Sequence, residues 1–486
     1  MTTSRAPYQT AGLFLGPIIF TLLMSMTAPA GMSDLAWNVV ALSALMATWW
    51  ATEAIPIPAT SLLPIIMLPL MGVATSKEAS LPYSSPVIYL LLGGFIAAMA
   101  MQRWGLHKRI ALNILARVGD QPAALIGGFM AASAILSMWI SNTATTLMII
   151  PIALTVSETI LGEKATSHRF TLVLLIGCAW AASIGGLGTI IGTPPNLFVV
   201  AFIEQTTGRE ISFGEWMMFA VPVVLVMVPT AWFVLTKIAF PFDTNTVKGG
   251  SEVVQAELLK LGKMSSAEKR VAYVMGAMAF MWSFRLLMVK SAFITDLLPF
   301  MAYLKDTHIA VIGGLAMFLV PSGNKESISL INWAEAERLP WGVILLFGGG
   351  LSLASAIQAT GLAIWLGESM SIMGTAPLIL VMLAIVTMVI FLTELTSNTA
   401  TTAALVPVMA ALAVTINVDP ILLAAPVAMA ASCAFMLPVA TGPNAVVFST
   451  GYIQAPQMIR AGIVLNILGT FIVTGICYAL VPYVFG

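Results

Sequence analysis

Charge is scarce in this chain: Asp, Glu, Lys and Arg make up 9% of its 486 residues, where soluble globular proteins carry about 25%. Twenty-one basic and 21 acidic side chains cannot coat a water-facing surface of that size, and 59% of the residues are hydrophobic. Most of the surface must therefore face lipid. The equal numbers of the two signs give no footing for a nucleic-acid partner. Cysteine is nearly absent as well. Cys178, Cys433 and Cys477 lie far apart in apolar stretches, which excludes a disulfide framework and a CxxC metal pair; they read as small core residues. His107, His168 and His308 fall near the ends of predicted spans. There is no HExxH motif, no nucleophile with a His partner, and no phosphate-binding Lys after the glycine-rich stretch 185–192. Enzyme activity is not expected.

Long apolar runs are what the chain has in place of charge. A spanning helix needs about 20 mostly apolar residues, because lipid cannot satisfy backbone N–H and C=O groups. Such runs lie near 12–30, 35–52, 56–73, 86–103, 170–203, 215–238, 271–290, 307–321, 341–366, 420–450 and 456–485. Two further stretches, 118–157 and 370–415, read as re-entrant helical hairpins. Arg5 and the Ala28-Pro29-Ala30 string give the first span a likeness to a signal peptide, but its basic region is thin and its apolar run long, so it reads as an anchor. Pro241 to Arg270 holds nine charged residues: Asp243, Lys248, Glu252, Glu257, Lys260, Lys263, Glu268, Lys269 and Arg270.

A charged linker at the middle of an apolar chain suggests duplication. Gly93-Gly94, Gln102, Gly105 and Leu106 recur 256 positions later as Gly349-Gly350, Gln358, Gly361 and Leu362. The string Ser141-Asn142-Thr143-Ala144-Thr145-Thr146 recurs at the same offset as Ser397-Asn398-Thr399-Ala400-Thr401-Thr402, and Ser137 and Pro151 map to Thr393 and Pro407. Gly192-Thr193-Pro194-Pro195-Asn196 matches Ala440-Thr441-Gly442-Pro443-Asn444 at an offset of 248. The second copy has thus lost eight residues, expected in the polar connection at 157–169. The expected organisation is an N-terminal helix (1–34), a first repeat (35–240) with a hairpin at about 118–157, a cytoplasmic linker (241–270), and a second repeat (271–486) with a hairpin at about 370–415.

Charge orients the copies. After Gln102-x-x-Gly-Leu the first copy runs into Arg103, Lys108, Arg109 and Arg117, whereas the second offers only Glu368. The positive-inside rule puts these points on opposite sides, so the copies are inverted. With the N-terminus cytoplasmic and the C-terminus outside, 16 of 21 basic residues fall inside; Lys77, Arg209, Arg285, Lys290 and Lys305 fall outside. The expected fold is an all-α polytopic membrane protein of about 11 spans and two hairpins in two inverted repeats, a construction used by secondary transporters.

Each copy carries two polar motifs within apolar sequence. A hairpin turning at Ser-Asn-Thr exposes free N–H groups at one helix N-terminus and free carbonyls at another's C-terminus, which attract an anion and a cation respectively. Hydroxyls and the Asn carbonyl are hard ligands suited to Na⁺; the Asn amide and Thr hydroxyl can donate to a carboxylate. The proline motifs break a helix and free carbonyls near Gly192 and Ala440. The plainer alternative, hydroxyls bonding back to their own helices and prolines acting as kinks, is weakened by two matched pairs. Glu394 is an intramembrane acid that could carry protons, orient the tip or serve a buried structural pair. Glu53, in Thr52-Glu53-Ala54-Ile55-Pro56, reads as structural, and Trp139 as a packing residue. No Lys or Arg falls in these motifs, so a bound anion would need helix termini and cations to neutralise it.

At these residues the sequence resembles the divalent anion:sodium symporter family of di- and tricarboxylate transporters. The resemblance spans the chain: the 52–56 segment, both Ser-Asn-Thr motifs and both proline-asparagine breaks. It implies a homodimer with a scaffold domain at the dimer contact and a transport domain that moves like an elevator. One sodium site would use Ser137, Ser141, Asn142 and the backbone of Gly192; the other would use Thr393, Thr396, Asn398 and the backbone of Ala440. Asn142-Thr143 and Asn398-Thr399 would hold the two substrate carboxylates, with Gly442 and Pro443 beside them. Two departures stand out. Gly442 occupies the first proline position of the second break and is expected to enlarge the pocket. Thr396 adds a hydroxyl beside the second sodium site, where a smaller side chain would serve if only its carbonyl is needed.

The expected function is sodium-coupled symport of a C4-dicarboxylate such as succinate, malate or fumarate across the inner (plasma) membrane. The alternatives are sulfate or another divalent oxyanion, a tricarboxylate, and sodium-independent dicarboxylate exchange. No organic cofactor is expected; the partners are Na⁺, a small dianion, membrane lipid and a second copy. A channel fits less well, because inverted hairpins suit alternating access better than a continuous pore. The topology is checked by single cysteines and a membrane-impermeant maleimide on intact cells. Gly486→Cys should label without permeabilisation and Ser251→Cys only after it; the reverse pattern would contradict the orientation.

Overall fold

The computed structural model describes residues 5–242, 249–324, 327–369 and 376–486. Asp243, Lys248, Lys325 and the start of the second expected hairpin, 370–375, lie outside the described residues. The chain is almost entirely helical. Helix α1 (Pro7–Ser25) packs along α2 (Asp34–Thr52), which starts at Ser33, whose side chain accepts the Ala36 N–H. The next crossing is short and broken by prolines into α3 (Ile57–Thr60) and α4 (Leu63–Leu70). Then α5 (Ser76–Ser80) leads to α6 (Pro86–Arg103) and α7 (Leu106–Leu115). The first hairpin is α8 (Pro122–Ser137) with α9 (Asn142–Leu161). A split crossing follows, α10 (Arg169–Gly185) and α11 (Pro194–Thr207), and α12 (Phe213–Phe233) ends the first copy.

The linker carries α13 (Gly250–Lys260), and the second half opens with α14 (Ser266–Lys290), α15 (Ala292–Leu297) and α16 (Asp306–Leu319). A two-stranded antiparallel ribbon, Pro321–Asn324 against Ser327–Ser329, is the one departure from an all-α chain among the described residues. After α17 (Trp333–Ala336) come α18 (Trp341–Ala359) and α19 (Leu362–Ser369), the counterparts of α6 and α7. The second hairpin is α20 (Leu378–Thr393) with α21 (Asn398–Thr415), the second split crossing α22 (Ile421–Ala431) with α23 (Gly442–Ser449), and the last helix α24 (Ala455–Phe485). Among the described residues ten helical stretches are long and apolar enough to cross a membrane. Two of them, Asn142–Thr166 and Asn398–Thr415, contain the second arms of the hairpins; the shorter apolar helices at Ile57–Leu70, Asp306–Leu319 and Ile421–Ala431 make up the remaining crossings.

The two copies pack reciprocally. Hairpin arm α9 lies on α23 of the other copy, arm α21 lies on α11, and the terminal helices α12 and α24 lie on each other. Exchange of this kind is what a pseudo-twofold axis between two inverted repeats produces. The centre of the assembly is α10, whose apolar window is 100% buried, so protein rather than lipid surrounds it. The loss is divided: the second copy is four residues shorter from Asn398 to Ile421 than the first is from Asn142 to Arg169, which takes in the expected connection, and the rest comes from the split crossing, where α22 has 11 residues against 17 in α10. The break after α22 is consequently reached by a longer non-helical approach.

The duplicated Gly-Gly marker allows close helix approach. A Cβ on Gly93 would stand 2.2 Å from the Ala310 carbonyl oxygen of α16, and one on Gly349 2.2 Å from that of Ser61. Backbone oxygen cannot yield as a flexible side chain can. Gly93→Val should therefore cost about 1–3 kcal/mol through overpacking and lower the melting temperature of the detergent-purified protein. Gly276→Ala, at a position with open space around it, should not. Equal melting temperatures for both variants would contradict the close α6–α16 contact.

Candidate functional site

Both hairpin tips are built alike. Ser141 caps α9, its side chain accepting the Ala144 N–H at 3.3 Å, and Ser137 Oγ at the end of α8 donates to Asn142 Oδ1 at 2.6 Å. In the second hairpin Thr393 Oγ1 stands 2.7 Å from Asn398 Oδ1 and 2.9 Å from the Ala431 carbonyl, tying α20 to the tip and to α22. Each Asn side chain is thus fixed by the hydroxyl five residues earlier. Thr396 Oγ1 donates back to the Leu392 carbonyl at 2.9 Å and meets Thr401 Oγ1 at 2.6 Å, so its hydroxyl is engaged along its own chain.

The breaks are stitched by the asparagines that end the proline motifs. Asn196 Nδ2 donates to the carbonyls of Gly186, Leu187 and Thr189 at 2.8–3.1 Å, and Asn444 Nδ2 to those of Ala434 and Leu437 at 3.0–3.1 Å. Carbonyls stripped of helical partners must find donors at membrane depth, and these two amides supply them. Both asparagines are fully buried. Gly186 is required by the first tip: a Cβ there would stand 2.4 Å from Asn142 Oδ1.

Tips and breaks together close on one cavity of about 880 Å³. The first copy contributes Ser141, Asn142, Thr143, Gly192, Thr193 and Pro194. The second contributes Glu394, Thr396, Ser397, Asn398, Thr399, Ala440, Thr441, Gly442 and Pro443. Four helix N-termini, those of α9, α11, α21 and α23, end there, each presenting the positive end of its dipole. Ser137 and Thr393 do not line it; they sit fully buried behind Asn142 and Asn398. Among the described residues lining the cavity none is Lys or Arg, and two, Glu53 and Glu394, are acids.

Three expectations change. Gly442 does not enlarge the pocket: a Cβ there would stand 2.1 Å from Thr143 Oγ1, so the first hairpin's side chain fills the space. What glycine adds at this helix N-terminus is a backbone N–H that proline lacks. Glu53, read as structural, lines the cavity in the left-handed conformation (φ 46°) that ends α2. Glu394 is 3% exposed and makes no ion pair among the described residues; its oxygens accept backbone N–H groups of the second break and the Asn466 amide. Trp139 packs as expected, stacked on Phe213 at 6.1 Å. Tyr8 at the start of α1 and Val439 also line the cavity, and neither carries a signal in the sequence that would single it out.

Inverted repeats whose hairpin tips and helix breaks surround one polar cavity within apolar helices define a secondary transporter. The chain belongs to the divalent anion:sodium symporter family, the family model "sodium:sulfate symporter transmembrane region" matching residues 8–484. It is 43% identical to the sodium-dependent dicarboxylate transporter SdcS of Staphylococcus saprophyticus, over 98% of this chain and 92% of that protein. It is 41% identical to the SdcS of Staphylococcus aureus MRSA252, over 99% and 94%. The crystal structure of the Alcanivorax borkumensis YdaH transporter shares the fold, with a TM-score of 0.59 and 15% identity over 99% of this chain and 97% of that one.

Proposed function

We propose that the protein carries a C4-dicarboxylate such as succinate, malate or fumarate across the cell membrane together with sodium ions. One observation carries the reading: the cavity that joins both Ser-Asn-Thr tips holds four helix N-termini and two acids but, among the described residues, no basic side chain. A dianion there needs bound cations to be stable, and cotransport with Na⁺ meets that need. The reading agrees with the names of the relatives, which are sodium-dependent dicarboxylate transporters. A molecule with a carboxylate at each end suits a site that presents an Asn-Thr pair from each of its two halves. Asn142-Thr143 would take one carboxylate and Asn398-Thr399 the other, with Gly442 and Pro443 at the wall. The cations would sit behind them: one at Ser137, Ser141, Asn142 and the Gly192 carbonyl, the other at Thr393, Asn398 and the Thr396 and Ala440 carbonyls.

Movement follows from how the helices group. Helices α8–α12 and α20–α24 hold the site and interlock across the pseudo-twofold axis, so they move as one body. Helices α1–α7 and α14–α19 form the scaffold and, in a homodimer, the contact with a second copy. Tyr8, Ala51 and Glu53 rim the cavity at the end of the scaffold that the proposed topology assigns to the cytoplasm, which supports reading the cavity as open to that side.

In liposomes the purified protein should accumulate labelled succinate only under an inward Na⁺ gradient, and Asn142→Ala and Asn398→Ala should each abolish uptake while the protein stays folded. Uptake indifferent to Na⁺ but dependent on preloaded dicarboxylate would contradict symport. Competition by sulfate but not by succinate would contradict the substrate. Retained uptake in both variants would contradict the site.

A further inference from the structure

The two half-sites are not equal, and the difference lies at Glu394. Position 394 is 256 after Met138, and Phe435–Leu437 are 248 after Leu187–Thr189, so one joint between hairpin arm and helix break can be compared in both copies. In the first copy the side-chain bond across that joint runs from Thr189 Oγ1 to the Met138 carbonyl, at 2.5 Å. In the second the break again donates and the arm again accepts, but the side chain now comes from the arm and the bonds multiply. Glu394 Oε1 accepts the N–H groups of Phe435 at 2.7 Å and Met436 at 2.8 Å and the Asn466 amide at 2.7 Å. Its Oε2 accepts the Leu437 N–H at 2.9 Å.

The second joint needs an acceptor because α22 stops early. Ser432 to Leu437 run without helical structure, buried as far as Phe435 and half-buried at Met436 and Leu437, within the membrane-spanning part of the protein, where unpaired backbone N–H groups are costly. Glu394 follows Thr393, which fixes Asn398. On the other side, Leu437 is held again through its carbonyl by Asn444, the residue that ends the motif containing Ala440 and Gly442. One carboxyl group therefore joins the oxygens of the second tip to the backbone of the second break. Asn466 adds α24 to the clasp; the helices that follow the breaks end at Gly208 and Gly451, and at that spacing the counterpart of Asn466 is Val223, which is buried and apolar.

We propose that Glu394 is a positioning residue for the second cation half-site, holding the carbonyls of the second break in register with the hairpin tip before sodium arrives. The second half-site is then preformed, and the first is completed by its ligands. This rests on sodium-coupled transport as read above. The test is labelled succinate uptake by the full-length protein in liposomes, with initial rates measured against external Na⁺ and, at saturating Na⁺, against succinate. Glu394→Gln replaces one accepting oxygen with an amide that faces a backbone N–H. It should raise the half-saturating Na⁺ concentration by about fivefold or more and leave the succinate KM at saturating Na⁺ within about twofold, the split that loss of cation preorganisation predicts. Asn466→Ala removes one donor of four and should move the Na⁺ value the same way, by about two- to threefold. An unchanged Na⁺ requirement in variants that still transport, or a succinate KM that rises in step with it, would overturn the proposal. A wild-type protein that ignores Na⁺ would overturn the transport reading itself.

Discussion

The proposed anion site, with no basic side chain among the described residues that line it, governs this structure. A dianion in a cavity bounded by Glu53 and Glu394 has only dipoles, amides, hydroxyls and imported cations to stabilise it. Helix N-termini deliver such dipoles in quantity only where helices stop at membrane depth, and a helix can stop there only if its loose backbone groups are satisfied. The hairpin tips and the two breaks are therefore the necessary architecture of the site. The stitching by Asn196 and Asn444 makes those stops tolerable.

Duplication solves the geometry and then is relaxed. Reciprocal packing of α9 on α23 and α21 on α11 brings four helix ends to one place without requiring either copy to fold around a ligand alone. Within that frame the copies have diverged. The shorter α22 left a stretch of backbone that Glu394 now holds, and Gly442 gave up a proline ring in a space that Thr143 occupies. Both changes lie in the second copy, next to the same half-site.

Much of this was legible in the sequence because repeats reveal themselves by register. The six-residue string at 141 and 397 located the tips, and the offset of 256 located Ser137 and Thr393 behind them. Scarcity of charge located the membrane. What stayed hidden depends on backbone and on space. Glu394 bonds to N–H groups, which carry no side-chain signature, so its acid could be noticed but not its partners. Gly442 could be recognised as a departure, yet its effect depended on Thr143 arriving from 299 residues earlier in the chain. Tyr8 reaches the cavity only because the first helix packs against the end of the second. Half of the eight-residue loss stayed hidden because apolar helix can shorten without changing the composition that marks it as helix.

The central claim is that cations and helix ends together do the work of an arginine. It is tested most directly by titrating the purified protein with succinate in media of fixed ionic strength where Na⁺ replaces choline. Linkage requires succinate affinity to rise steeply with Na⁺ and Na⁺ affinity to rise reciprocally with succinate. Succinate binding of equal strength in sodium-free choline medium would contradict the account.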